Sequence, residues 1–195
     1  MDNSGFTMIE LVVVLAIIAV LAGVLTPMVI NYVAEARVTA AKNDADGIAN
    51  AISRFEKDVG RYPMFTVGTT ALKDSDANCN RLDGPGNTPS AAPAQWTSGV
   101  AANCTLLAQL ATNAPAYTVP TNQAQPNRWK GPYINSAADP WGNRYSVNII
   151  NGKTSSANAC FVLSAGPDGT IDTAFDISKN SQIVPAGDDI LSRIR

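Results

Sequence analysis

Gly5-Phe6-Thr7-Met8-Ile9-Glu10 runs straight into Leu11–Ala34, LVVVLAIIAVLAGVLTPMVINYVA, and this junction decides how the chain is read. The stretch after Glu10 carries no charged residue. About 20 residues rising ~1.5 Å each cross a ~30 Å hydrocarbon core, so the stretch reads as a membrane-spanning helix. A secretory signal peptide would have a basic start, a shorter apolar core and a small-residue cleavage site. Here the run is longer, no basic residue precedes it, and a helical pattern continues beyond it. A lone carboxylate at the mouth of such a segment is costly, which suggests that Glu10 serves a task rather than the fold. Within the run, Pro27 lacks the N–H that the helix ladder needs, and Gly23 lies nearby, so Gly23 to Pro27 is expected to kink or melt.

The helix is expected to continue to about Val59. Ala41, Ala45, Ile48, Ile52, Phe55 and Val59 recur at spacings of three and four, while Asp44, Asn50, Arg54 and Lys57 fall off that stripe. One buried face of an amphipathic helix has this pattern. Gly60 supplies a left-handed stop and Pro63 follows it. From Phe6 to Val59 such a helix is ~80 Å long at ~1.5 Å per residue. That exceeds the span of a compact domain of this size, so its apolar half needs lipid or other subunits.

The sequence has 195 residues, a formal net charge of −2 and no histidine. This allows one compact domain beside the long helix. Charged residues are only 15 %, a deficit that comes largely from the apolar segment. No basic patch is present, which argues against nucleic-acid binding. Without histidine the usual general base near neutral pH is missing, and neither a glycine-rich phosphate loop nor a GxSxG motif occurs, so a membrane-anchored enzyme or ligand-binding module is disfavoured. Of the three cysteines, Cys79 and Cys104 flank a Gly/Pro/Ser/Ala-rich loop and form the preferred pair. Closing that loop stabilises by roughly 3–4 kcal/mol in the chain-entropy model. Cys160, in Ala159-Cys160-Phe161-Val162-Leu163, reads as a small buried apolar residue.

Residues 64–128 read as loop, broken by Pro89, Pro93, Pro115, Pro120 and Pro126, with a short helix at Thr105 to Ala111. Arg144 to Ile150, Ala159 to Ser164 and Ile190 to Ile194 read as strands, with turn formers at Asp139-Pro140 and Gly142-Asn143 before them. The aromatics of this region are expected to hold the loop against the long helix. The fold class is therefore α+β, a long helix on a small antiparallel sheet of about three strands. Between the last two strands lie Asp168, Asp172, Asp176, Asp188 and Asp189, opposed only by Lys179. Ca²⁺ takes about 6–8 oxygen ligands and suits carboxylates plus loop carbonyls. The bland alternative is a solvated acidic loop.

The hexapeptide and the apolar run behind it resemble the cleavage site of type IV prepilins and type II secretion pseudopilins. That resemblance implies cleavage after Gly5 by a prepilin peptidase and methylation of the new amino terminus at Phe6. It also implies that Glu10, fifth after the cut, pairs with the Phe6 amine of a neighbouring subunit. The leader carries Asp2 where relatives have basic residues, so charge gives no support to its orientation. Gly60-Arg61-Tyr62-Pro63, Lys130-Gly131-Pro132-Tyr133, Asp139-Pro140-Trp141-Gly142-Asn143 and Ser164-Ala165-Gly166-Pro167-Asp168-Gly169 with Asp188-Asp189-Ile190 are similar to the major pseudopilins of type II secretion. For that family the resemblance implies a calcium loop. Asp168, Asp188 and Asp189 match its acidic positions, Asp172 is a further ligand, and the carbonyls of Leu163 and Ile171 contribute.

The implied organisation is a leader at 1–5, a membrane and filament-core helix at 6–34, its amphipathic half at 35–63, and a periplasmic domain at 64–195. Within that domain, 64–128 hold the loop and insertion, and 129–195 the sheet and calcium loop. The implied role is a single-pass inner-membrane protein that assembles into a periplasmic pseudopilus moving folded proteins across the outer membrane. Its partners are its own copies, the peptidase, minor pseudopilins, the assembly platform and its ATPase. The alternative is a type IV pilin for adhesion or motility. Two departures stand out: the loop from Asp172 to Gly187 is long, and residues 66–103 look inserted.

Overall fold

The computed structural model describes residues 6–66, 79–90, 93–97, 100–117, 128–135, 137–152, 159–178 and 182–194. Residues 1–5 with Gly5, part of the stretch 66–103, and Lys179 lie outside the described residues. The chain forms two units, one through Arg37 and one from Val38 onward.

In the first unit, helix α1 (Met8–Val59) begins and passes unbroken through Gly23 and Pro27, so no melted stretch interrupts it there. The Thr26 hydroxyl donates to the Ala22 carbonyl at 2.6 Å, one turn before Pro27. Large apolar side chains from Phe6 to Val38 are exposed on every side of the helix, and α1 is long and apolar enough to cross a membrane.

In the second unit α1 becomes one-sided. Ala41, Ala45, Ile48, Ile52, Phe55 and Val59 are buried, as the spacing predicts, and Ala49 and Ala51 join them. The helix ends at Gly60, whose φ of +79° is the left-handed conformation that a glycine adopts without a Cβ penalty. The sheet has four strands rather than about three, in the order β1-β2-β3-β4, all antiparallel. They are β1 (Arg81–Asp83), β2 (Ser146–Asn148), β3 (Phe161–Ser164) and β4 (Ile190–Arg193). The additional strand comes from the stretch read as loop. Leu82 pairs with Val147, which pairs with Val162, which pairs with Ser192.

Successive residues of a strand point to opposite faces, and β3 uses this to build two cores. Val162 packs with Leu82, Val147, Ile52 and Phe55 on the side of α1. Phe161 and Leu163 pack with Trp96, Ala165, Ile171 and Phe175 on the other side. Trp96 belongs to α2 (Ala94–Thr97), also within the stretch read as loop. The predicted short helix is α3 (Leu106–Leu110), whose N-cap Thr105 accepts from Ala108 N.

Three devices tie the loops down. Cys79 and Cys104 are joined by a disulfide. Gln109, fully buried, donates to the carbonyls of Phe65 and Asn103 and accepts from Tyr117 OH at 2.7 Å. Tyr133 packs edge-on against Phe55 and donates to Asp58 on α1, and Trp129 packs edge-on against Tyr133. Tyr145 adds a hydrogen bond to Asp44. Cys160 is buried and outside any disulfide.

Candidate functional site

Two places carry the candidate residues. The first is the start of α1. Thr7 precedes the helix, and its hydroxyl oxygen accepts the N–H of Glu10 at 3.3 Å. The same hydroxyl donates to Glu10 Oε2 at 3.3 Å. The Leu11 N–H closes the first turn on the Thr7 carbonyl. Thr7 thus caps the helix start through the Glu10 N–H, and the Glu10 carboxylate bonds back to its hydroxyl. The Glu10 side chain therefore has a partner within its own chain. The signal stood in the sequence as Thr7-Met8-Ile9-Glu10, but the apolar context drew the reading to the membrane alone. Phe6 is exposed beside it.

The second place is the acidic turn between β3 and β4. Gly166 and Gly187 hold its two tight points with φ of +66° and +60°. A Cβ at Gly166 would strike the Asp188 carbonyl oxygen, and one at Gly187 would meet Asp172 Oδ2 at 2.5 Å. The backbone segments are therefore drawn together in a way that only glycine permits. Asp188 Oδ2 accepts the N–H of Asp168 at 3.1 Å, and Asp168 Oδ1 accepts that of Thr170 at 2.7 Å.

Asp189 is the central member and the only buried one of the five aspartates. Its Oδ2 accepts from Asp172 N at 2.9 Å, Thr173 N at 2.7 Å and the Thr173 hydroxyl at 2.6 Å. Its Oδ1 is buried without a partner. Burial pushes the Asp189 carboxyl above the usual carboxylate range. The Thr173 and Asp172 donors pull the other way, and the nearby Asp172 charge adds to the rise.

The structure thus gathers Asp168 with Asp188, and Asp172 with Asp189, in one turn. Asp176 is exposed. Ile171 is buried in the second core, and Leu163 lies inside β3 with β2 and β4 on either side. Among the described residues no three acidic or cysteine side chains converge as a ready metal cluster. What fits a hard cation is the donor chemistry and the orphaned Asp189 oxygen. A buried carboxylate oxygen without a partner costs roughly 1–3 kcal/mol or more, and a cation would remove that cost. Sequence reasoning missed Thr173, whose hydroxyl and amide hold Asp189, because a lone threonine in a loop carries no pattern.

Comparison with known proteins bears on the family of the chain. Residues 1–26 match the prokaryotic N-terminal methylation motif, and residues 28–98 and 113–180 match the model of type II secretion system (T2SS) protein G. The chain is 28 % identical to type II secretion system core protein G of Escherichia coli K12, over 89 % of this chain and 88 % of that protein. It is 39 % identical to the core protein G of Pseudomonas aeruginosa over 36 % of this chain, spanning half the length of that relative. The fimbrial protein EcpC of Eikenella corrodens is 42 % identical over 31 % of this chain and 40 % of its own length. No solved structure matches the chain. With the protein G model covering well over half of its residues, the chain belongs to the type II secretion system protein G family and is a major pseudopilin of the type IV pilin-like class.

Proposed function

We propose that the chain is the structural subunit of a type II secretion pseudopilus, anchored in the inner membrane by residues 6–34 until assembly and helping folded proteins across the outer membrane. The observation that carries this reading is the ring of exposed apolar side chains from Phe6 to Val38, with Glu10 at its start. A surface of that kind is stable in lipid or against copies of itself, and not in water. Cleavage after Gly5 by a prepilin peptidase creates an amine at Phe6, and methylation leaves it cationic. In a bundle of staggered helices, Glu10 of one subunit receives the Phe6 amine of the next. Two opposite charges ~4 Å apart attract by about 4 kcal/mol at an effective dielectric of ~20. That attraction sets the register between subunits that apolar packing alone leaves free. Minor pseudopilins, the inner-membrane platform and its ATPase are the assembly partners in this reading. A type IV pilin is the second reading. The fimbrial relatives match about a third of the chain, and the full-length match is to a protein G.

The acidic turn is proposed to bind calcium. Asp189 supplies the oxygen that now lacks a partner, and Asp168, Asp172 and Asp188 supply charge around it, with carbonyls of Leu163 and Ile171 as the remaining donors. The cation supplies positive charge that cancels carboxylate repulsion and ties β4 to the loop after β3. No step here is catalytic.

Glu10→Ala tests the assembly reading, with Thr7→Val as its control. Glu10→Ala is expected to be cleaved and methylated normally, by intact mass, yet to form no fibres. Thr7→Val removes the hydrogen bond within the subunit but not the charge, and is expected to keep assembling, more weakly than wild type. Fibres from Glu10→Ala at the wild-type level overturn the pairing. The calcium reading predicts a lower Tm in chelator, and superposable melts with and without calcium refute it.

A further inference from the structure

The disulfide-closed loop between Cys79 and Cys104 has so far only an architectural role, yet it reaches the acidic turn through a continuous chain of polar contacts. Asp83 on β1 sits between two guanidinium groups. Its Oδ1 takes Arg81 Nε at 2.7 Å, and its Oδ2 takes Arg144 at 3.0 Å. Arg81 then donates to the Gln95 carbonyl, and Arg144 to the Trp96 carbonyl at 3.1 Å, so both arginines grip α2 by its backbone. The Trp96 indole N–H donates to the Thr173 carbonyl at 2.8 Å. On its other side Thr173 donates its amide and hydroxyl to Asp189. The Trp96 ring is fully buried and packs edge-on against Phe161 on β3 and Phe175 inside the stretch between β3 and β4. A second attachment joins Ser90 N to the Gly169 carbonyl at 2.9 Å, one residue after Asp168. The Cys79–Cys104 disulfide closes the loop that carries β1, Ser90 and α2.

We propose that β1 and α2, held within this disulfide-closed loop, clamp the acidic turn in its cation-binding form, with Trp96 as the positioning residue. The inference rests on the calcium reading above. A residue that must present both its N–H and its hydroxyl to one carboxylate cannot rotate freely, and Trp96 fixes it from behind by its carbonyl. With that hold released, Thr173 and Asp189 are ordered only when the cation arrives, and the ordering cost appears as weaker affinity. A route of contacts is not itself coupling, so affinity is the quantity to measure.

The test uses the full-length chain in detergent, stripped with chelator and titrated with CaCl2 by calorimetry. Trp96→Phe keeps a packed ring and removes the N–H donor. Losing a hydrogen bond of ordinary strength from the bound form weakens binding ~3- to 10-fold, and that is the expected rise in Kd. The calcium-induced rise in Tm shrinks with it. A purely structural tryptophan lowers Tm equally with and without calcium and leaves Kd unchanged, and that result overturns the clamp. If Trp96→Phe does not fold, the Cys79→Ser/Cys104→Ser chain is titrated instead, with the same expected rise in Kd and an unchanged Kd as the overturning result. Wild-type protein that binds no calcium overturns the cation reading and the clamp together, whereas wild-type binding with unaltered variants overturns the clamp alone.

Discussion

Removing the carboxylate of Asp83 is expected to be among the most damaging single changes in the second unit. Its side chain is 5 % exposed, that of Arg81 2 % and that of Arg144 13 %. Asp83 accepts from Arg81 Nε and Arg81 NH2, from Arg144 and from the Ser146 hydroxyl at 3.2 Å. Burial pulls the Arg144 pKa down and the Arg81 charge pulls the same way, leaving Asp83 as the group that opposes them. Asp83→Ala therefore leaves the buried Arg81 cation facing the largely buried Arg144 cation, with Arg144 Nε already lacking a partner. Deleting one member of a buried pair costs about 3–5 kcal/mol. For a unit of this size Tm moves ~2–4 °C per kcal/mol, so the expected fall is roughly 6–20 °C. Asp83→Asn keeps the shape without the charge and falls in between. The control is Lys130→Ala, which breaks an ion pair with Asp58 whose lysine is 40 % exposed. An exposed pair contributes about 0.2–1 kcal/mol, a shift of no more than ~4 °C. Thermal melts followed by circular dichroism in detergent decide the matter. Equal shifts for Asp83→Ala and Lys130→Ala would refute the reasoning.

Tyr133 governs part of the alkaline behaviour. Burial, with the Asp58 carboxylate adding to it, pushes its phenol up to about 12. An unfolded tyrosine loses its proton near ~10, so between about pH 10 and pH 12 the unfolded state binds fewer protons and stability falls as pH rises. Below pH ~10 this contribution is whole. Tyr133→Phe is expected to make the alkaline loss shallower in urea titrations across that window, though not flat, because burial also raises Tyr62, Tyr117 and Tyr145. An identical slope in the variant would exclude the assignment. Gly166→Ala forces a positive φ on alanine and drives its Cβ into the Asp188 backbone. The expected cost is at least ~2 kcal/mol, read as a drop in Tm, and wild-type stability would mean that the turn is looser than described.

The parts of the fold legible in the sequence are those set by one repeating physical demand. The stripe from Ala41 to Val59 repeats because its residues are buried on one side of α1, those from Ala45 on in the same core, and Gly60 ends it with a positive φ. β3 was legible as an apolar run because it is buried on both faces. β1 was not, and the reason is chemical. Arg81-Leu82-Asp83 has one apolar residue between two charges, the composition of an exposed loop. It is nonetheless buried throughout, because its two charges neutralise each other and recruit Arg144 from a segment sixty residues away. Pairing that distant leaves no local mark. The same holds for α2, too short to show a period, whose Trp96 is defined by what it touches across the second core.

The candidate sites divide along the same line. Acidic residues clustered by number were visible at once, but number does not say which carboxylate matters. The structure ranks them by burial and by unmet demand: four aspartates are exposed, and Asp189 alone combines three donors on one oxygen with none on the other. At the other end of the chain Glu10 shows the reverse. Its chemistry was read as service to a neighbouring subunit, yet in the single chain it is already engaged with Thr7. These roles are compatible because a carboxylate has two oxygens and about four lone-pair sites. The bond to Thr7 engages Oε2, which orients the group before any partner arrives and lowers the ordering cost of accepting an amine. A short cap at the helix start and a register mark between subunits are then one device, with the cap holding the mark in place.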